Sequence, residues 1–147
     1  MKRIFLSIFI IVAAFVGSIS AQSLTVRQTF DNGIFSAQRG EFETALEQFQ
    51  TSLELTKTEE TSDSFRAKIH FNIGVCFYQM KEQAQAVTEF ERAVWLNPNY
   101  EKAFYSLGMT QFELKNWQTS EKAFLDAIRV NNRNGENRAM NDKINLR

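Results

Sequence analysis

The chain has 147 residues, 44% of them hydrophobic and 13% aromatic, enough apolar surface for one modest domain and not for two. Lys+Arg and Asp+Glu both number 17, a balance that argues against a nucleic-acid binder or a basic membrane-surface protein. One Pro and six Gly in the whole sequence fit an all-α protein, because both residues weaken helix interiors.

The first stretch, MKRIFLSIFIIVAAFVGSISAQS, has the three parts of a secretory signal peptide. Lys2 and Arg3 come first, an apolar run follows from Ile4 to Val16, and Gly17, Ser18, Ser20 and Ala21 supply small residues for cleavage. A membrane-spanning helix needs about 20 apolar residues, and this run falls short even when extended to Ile19. Residues 1–21 are therefore expected to be removed after Ser20 or Ala21, and membrane association is expected only if the leader stays uncleaved. The short leader places the chain in a bacterial periplasm or envelope, with eukaryotic secretion as the alternative. Without Lys2 and Arg3, 15 basic residues face 17 acidic ones, and the mature surface is near neutral. Cys76 is the one cysteine, so no intramolecular disulfide can form and stability must come from packing.

Beyond the leader the sequence repeats. Gly33, Gly74 and Gly108 are separated by 41 and then 34 residues. Ala45, Ala86 and Ser120 keep the same two intervals, as do Phe49, Phe90 and Phe124, and Ser52, Ala93 and Ala127. Four position types recurring in step mark a tandem repeat. The seven extra residues of the first interval fall in the polar stretch from Lys57 to Arg66, where an insertion costs little.

Each unit reads as helix, turn, helix. In the second, Ile69, Ile73, Phe77 and Met80 share one helical face, and Ala86, Phe90, Ala93 and Val94 share the next. Both stripes need a partner, so the two helices form an antiparallel hairpin. The turns are Arg39-Gly40-Glu41, Lys81-Glu82-Gln83 and Lys115-Asn116-Trp117, and Pro98 closes the second unit by pushing Asn97 out of helical geometry. Gly and Ala inside the apolar stripes let a neighbouring backbone approach closely, with large residues filling the flanking grooves. After Gly135, Ala139, Met140 and Ile144 fall at helical spacing, predicting a short capping helix from Glu136 to Leu146, with a frayed tail as the alternative for residues 135–147.

This pattern resembles the tetratricopeptide repeat family, whose 34-residue unit carries W-x2-L-G-x2-Y followed by Ala, Phe, Ala and Pro. The second unit, Ala67 to Tyr100, matches with His70, Ile73, Gly74, Phe77, Ala86, Phe90, Ala93 and Pro98. The third, Glu101 to Asn134, supplies Phe104, Leu107, Gly108, Ser120, Phe124 and Ala127, but carries Gln111 where an aromatic is usual and Asn132 where Pro is usual. The first, Val26 to Glu59, has Gly33, Gly40, Phe42, Ala45 and Phe49, with Asn32 and Ser36 at normally apolar positions. The resemblance implies a helical-hairpin solenoid of about three repeats over residues 22–134 (26–59, 67–100 and 101–134), with a concave groove lined by the first helix of each unit.

By the same resemblance, the groove positions are Arg27, Phe30 and Ile34, then Lys68, Phe71, Val75 and Tyr78, then Lys102, Tyr105, Met109 and Phe112. An apolar, aromatic lining with spaced cations suits an extended or helical peptide segment. Some family members clamp a C-terminal carboxylate with Lys, Asn and Arg. Here Asn72 and Lys102 occupy two clamp positions while Phe30, Ile34 and Ser106 occupy the other three, so the clamp is incomplete and Asn72 is expected to bond to backbone.

Catalysis finds no support. His70 is the sole histidine, falls at a stacking position and has no partner evident in sequence. Cys76 has small and apolar neighbours and reads as a buried, inert thiol. One His and one Cys cannot make a conventional metal site, and no phosphate loop, HExxH or GxSxG occurs. The expectation is a non-catalytic, cofactor-free, exported interaction module whose partner is a protein or peptide segment and not a nucleic acid. The alternatives are a small hydrophobic ligand in the same groove, or self-association within an envelope complex.

Overall fold

The computed structural model describes residues 26–58 and 61–145, with side chains as far as Glu136; the expected leader lies outside them. Among these residues the chain forms six helices and no strand. They are α1 (26–38), α2 (Phe42–Leu55), α3 (Asp63–Gln79), α4 (Gln83–Leu96), α5 (Glu101–Glu113) and α6 (Trp117–Asn145). They pair as three antiparallel hairpins, and each hairpin packs on the next through α2 against α3 and α4 against α5. The result is an all-α helical-hairpin solenoid.

One contact recurs in every hairpin. A Cβ built on Gly33 would lie 2.6 Å from the Phe49 ring, one on Gly74 2.7 Å from Phe90, and one on Gly108 2.7 Å from Phe124. Each of these Phe residues follows its Gly by 16 positions, across the turn. The ring of the second helix thus sits directly on the backbone of the first, in space that any side chain would fill. At one shared position Ala45 and Ala86 are wholly buried, and Ser120 there in the third unit donates its hydroxyl to the Gly108 carbonyl at 2.8 Å. The Ala-to-Ser change in the third unit is therefore satisfied by a bond between helices.

The turns repeat as closely as the core. Gly40, Lys81 and Lys115 adopt φ of 79°, 67° and 63° at equivalent positions. The amides that follow them bond five residues back, Glu41 to Ser36, Glu82 to Phe77 at 2.8 Å and Asn116 to Gln111 at 2.9 Å. This is a Schellman ending, which satisfies otherwise orphaned carbonyls and reverses the chain in one residue. The first unit uses Gly there, whereas the other two hold lysine in a conformation that costs about 1–2 kcal/mol.

Two boundaries differ from the sequence reading. α3 begins at Asp63, four residues before the repeat boundary, so part of the insertion forms an extra helical turn. Ser62 caps it by accepting from the Phe65 amide at 3.2 Å, and Phe65 then packs on Phe30 with ring centroids 5.2 Å apart. Gly135 does not interrupt the last helix, as α6 runs unbroken from Trp117 to Asn145. No separate capping helix begins there; a lone Gly costs only about 1 kcal/mol and cannot end a helix without a competing cap. Asn97 is extended before Pro98 (φ −135°, ψ 90°), as the proline requires.

The repeated contact and the repeated turn generate three stability predictions. Gly74→Ala is expected to lower stability by about 1 kcal/mol net, because overpacking of about 1–3 kcal/mol outweighs a propensity gain of about 1. The loss should be smaller for Gly108→Ala, since Phe124 is half-exposed and has room to shift while Phe90 is buried. Lys115→Gly is expected to raise stability by about 1 kcal/mol by removing left-handed strain. Thermal and urea unfolding followed by circular dichroism would test all three. An undiminished midpoint for Gly74→Ala would show that the ring yields freely.

Candidate functional site: the face formed by the first helices

α1, α3 and α5 lie side by side, tied by Phe30 on Phe65, by Phe71 on Tyr100 (centroids 5.1 Å), and by the Tyr78 hydroxyl donating to Glu113. None of the eleven groove positions is buried. Arg27, Lys68, Lys102, Tyr105 and Phe112 are exposed, and Phe30, Ile34, Phe71, Val75, Tyr78 and Met109 are half-buried.

Those positions fall into three structural roles. Phe30, Phe71 and Tyr105 each rest on the ring that covers the hairpin's Gly, with centroids 5.5 Å from Phe49, 5.7 Å from Phe90 and 5.7 Å from Phe124. Phe30 and Phe71 are also covered by an aromatic of the next hairpin, whereas Tyr105 has no such neighbour and stays 56% exposed. Arg27 and Lys102 in the first turns of α1 and α5, and Lys68 in the second turn of α3, form no ion pair among the described residues, in contrast to Arg39, Lys57, Arg66, Arg92 and Arg129. Phe112 stands apart at the third hairpin tip, edge-on to Trp117 at 5.2 Å.

Between α3 and α5 the face sinks into a hollow of about 290 Å³. Val75, Tyr78, Tyr105 and Met109 line it with Gln79, Phe90, Ser106 and Thr110. The fold therefore brings together four of the expected positions, and adds polar groups at the rim. Tyr78 carries the main electrostatic feature, its hydroxyl pushed above the usual phenol range by the bond to Glu113, with burial adding to it. The same ring lies under the Lys81 ammonium at 5.9 Å. A hydrogen bond and a cation thus hold Tyr78 at one wall, leaving Tyr105 and Met109 as the open side. Asn72 donates to the Lys68 carbonyl at 2.7 Å, inside its own helix.

Outside the groove, His70 has a partner that its sequence neighbourhood does not reveal. Its Nδ1 lies 2.7 Å from Glu89, whose other oxygen accepts from Arg92 at 2.6 Å. The three tie α3 to α4, and no nucleophile is among them. Next to them lies a cleft of about 390 Å³ beside Trp95, which is 80% exposed. Its Lys57, Arg66 and Arg92 are each paired, with Glu54, Asp63 and Glu89, so the cleft is electrically balanced. Cys76 is fully buried, and burial pushes its thiol up to about 11, with Glu43 adding to the shift. A thiol so protonated is a poor nucleophile.

Residues 70–100 match the tetratricopeptide repeat family model. No curated protein matches the chain by sequence. Solved structures share its fold, among them the second tetratricopeptide domain of Spaghetti (RPAP3) bound to the HSP90 peptide SRMEEVD. That match has a TM-score of 0.65 and 18% identity, over 76% of this chain and 98% of that one. The Sgt2 domain from Aspergillus fumigatus follows at 0.64 and 17%, over 73% and 66%. PcrH in complex with the chaperone-binding region of PopB gives 0.63 and 18%, over 72% and 80%. At such identities the likeness is one of fold. With the matched repeat at its centre and the same hairpin before and after it, the chain has the fold of tetratricopeptide repeat proteins.

Proposed function

We propose that this chain is a non-catalytic interaction module that holds a segment of another protein against the face of α1, α3 and α5. The observation that carries this is the hollow between α3 and α5, an apolar recess beside a half-exposed tyrosine on a rigid helical floor. An anchor side chain of the partner would enter it, which is how a few desolvated aromatic contacts come to dominate an interface. The likeness to the Spaghetti and PcrH domains, both solved with a bound peptide or binding region, supports the same use. The incomplete carboxylate clamp argues for an internal segment over a chain terminus.

Tyr105→Ala is the decisive substitution, because this ring is exposed enough to be removed without opening the core. Affinity capture with the chain supplies the partner, and titration then measures it against each variant. Tyr105→Ala is expected to weaken binding at least about tenfold with the melting temperature nearly unchanged, while the exposed control Glu91→Ala leaves both unaltered. Phe71→Ala should instead lower the melting temperature, since Phe71 is packed between Phe90 and Tyr100. Normal binding by Tyr105→Ala would move the partner off this face.

The module is proposed to work outside the cytoplasm, on the strength of the leader sequence alone. Intact-mass measurement on protein from its native host should then find a chain starting at Gln22, or at Ala21. A chain retaining Met1 in the membrane fraction would make it an anchored module instead.

A further inference from the structure

In a stack of hairpins, a helix face left to solvent is polar and a face that takes a neighbour is apolar. The outer face of α6 is apolar, yet nothing among the described residues covers it. Leu125 is 58% exposed and Ile128 is 56% exposed, one turn apart on the same side. Repeat equivalence sharpens the anomaly. Ile128 corresponds to Leu53 and Val94, which are half-buried, Leu53 within the cluster that joins α2 to α3. Leu125 corresponds to Gln50 and Glu91, both exposed and polar. The last unit thus keeps an apolar residue meant for a neighbour and adds a second one where the inner units are hydrophilic. A hollow of about 450 Å³ opens over this pair, edged by Arg129, Arg133 and Glu136.

We propose that this face docks a second copy of the chain, related by a two-fold axis, with the two α6 helices packed antiparallel. That an α-helix covers this position follows from the chain itself, which lays α3 and α5 over the equivalent faces of α2 and α4. The α1 face of another copy does not fit as the cover. Continuing the solenoid head to tail would bring Phe35 into the slot filled internally by Cys76 and Thr110, both wholly buried and far smaller. Phe35 is too large for it. The remaining self-complementary arrangement is α6 on α6.

Charge selects the direction. Glu121 lies one turn before Leu125 and Arg129 one turn after, all on one stripe. Parallel pairing would set Glu121 against Glu121 and Arg129 against Arg129. Antiparallel pairing with Leu125 opposite Ile128 places each Arg129 within a turn of Glu121 in the second copy, twice by symmetry. Arg129 bonds Asp126 at 2.8 Å in its own helix, and its guanidinium has further N–H donors for Glu121 of the second copy. The surface lies away from the proposed groove and stands whether or not the groove binds a peptide.

Sedimentation velocity over a concentration series of the purified chain tests this directly. The expected result is a monomer–dimer equilibrium that Ile128→Glu weakens at least about tenfold while Phe35→Glu leaves it unchanged. Arg129→Glu alone should weaken it, and adding Glu121→Arg in the same chain should restore it, which a merely structural effect within one helix would not do. Circular dichroism confirms that each variant, altered only at exposed positions, is folded. A chain that stays monomeric at every concentration overturns the proposal. So does a dimer lost in Phe35→Glu, or one whose charge swap fails to restore pairing.

Discussion

The fold depends on one prohibition, that residues 33, 74 and 108 carry no side chain of their own into the space above their backbone. A phenyl ring from the returning helix fills each of those spaces at a distance no Cβ would allow. The helix propensity lost at each Gly, about 1 kcal/mol, is offset by a large ring brought to full contact with backbone. The same ring serves two masters. One side seals the hairpin, and the other carries Phe30, Phe71 or Tyr105, so the floor of the groove rests on the element that holds each repeat together. In the first two units, where the next hairpin also covers Phe30 and Phe71, groove shape and repeat stability are therefore not independently adjustable.

Most of this architecture was legible because it recurs. The intervals of 41 and 34 residues identified the units, and the Gly, Ala and Phe positions identified the faces. What periodicity could not reveal were the bonds by which a departure from the pattern is made harmless. Ser36 and Gln111 stand where Phe77 stands in the second unit, and both are buried. Ser36 donates to Gln48 and Gln111 accepts from Asn116, each satisfied by a residue across its own turn. His70 and Glu89 are likewise 19 residues apart and meet only once the hairpin closes. The extension of α3 back to Asp63 depends on the Ser62 cap, a local signal in a stretch otherwise read as insertion.

The candidate groove was legible as a face, though not as a division of labour within it. Helical spacing locates which residues point the same way. It cannot tell that Phe71 is roofed by Tyr100 while Tyr105, at the equivalent place, is not. That difference comes from position in the array: every repeat except the last has a successor to cover it. The same circumstance exposes Ile128 where Leu53 and Val94 are sheltered. The ends of a solenoid are where identical sequence logic has unequal physical outcomes.

Cys76 gives that array a built-in clock. It is wholly enclosed in the cluster where α2 meets α3, beside Ala45 and Phe49. A thiol reagent in solution can reach it only after the first and second hairpins separate. With a fast reagent the modification rate equals the rate of separation, and with a slow one it reports how often the interface stands open. This chain thus carries, without any added label, a probe of one joint between repeats.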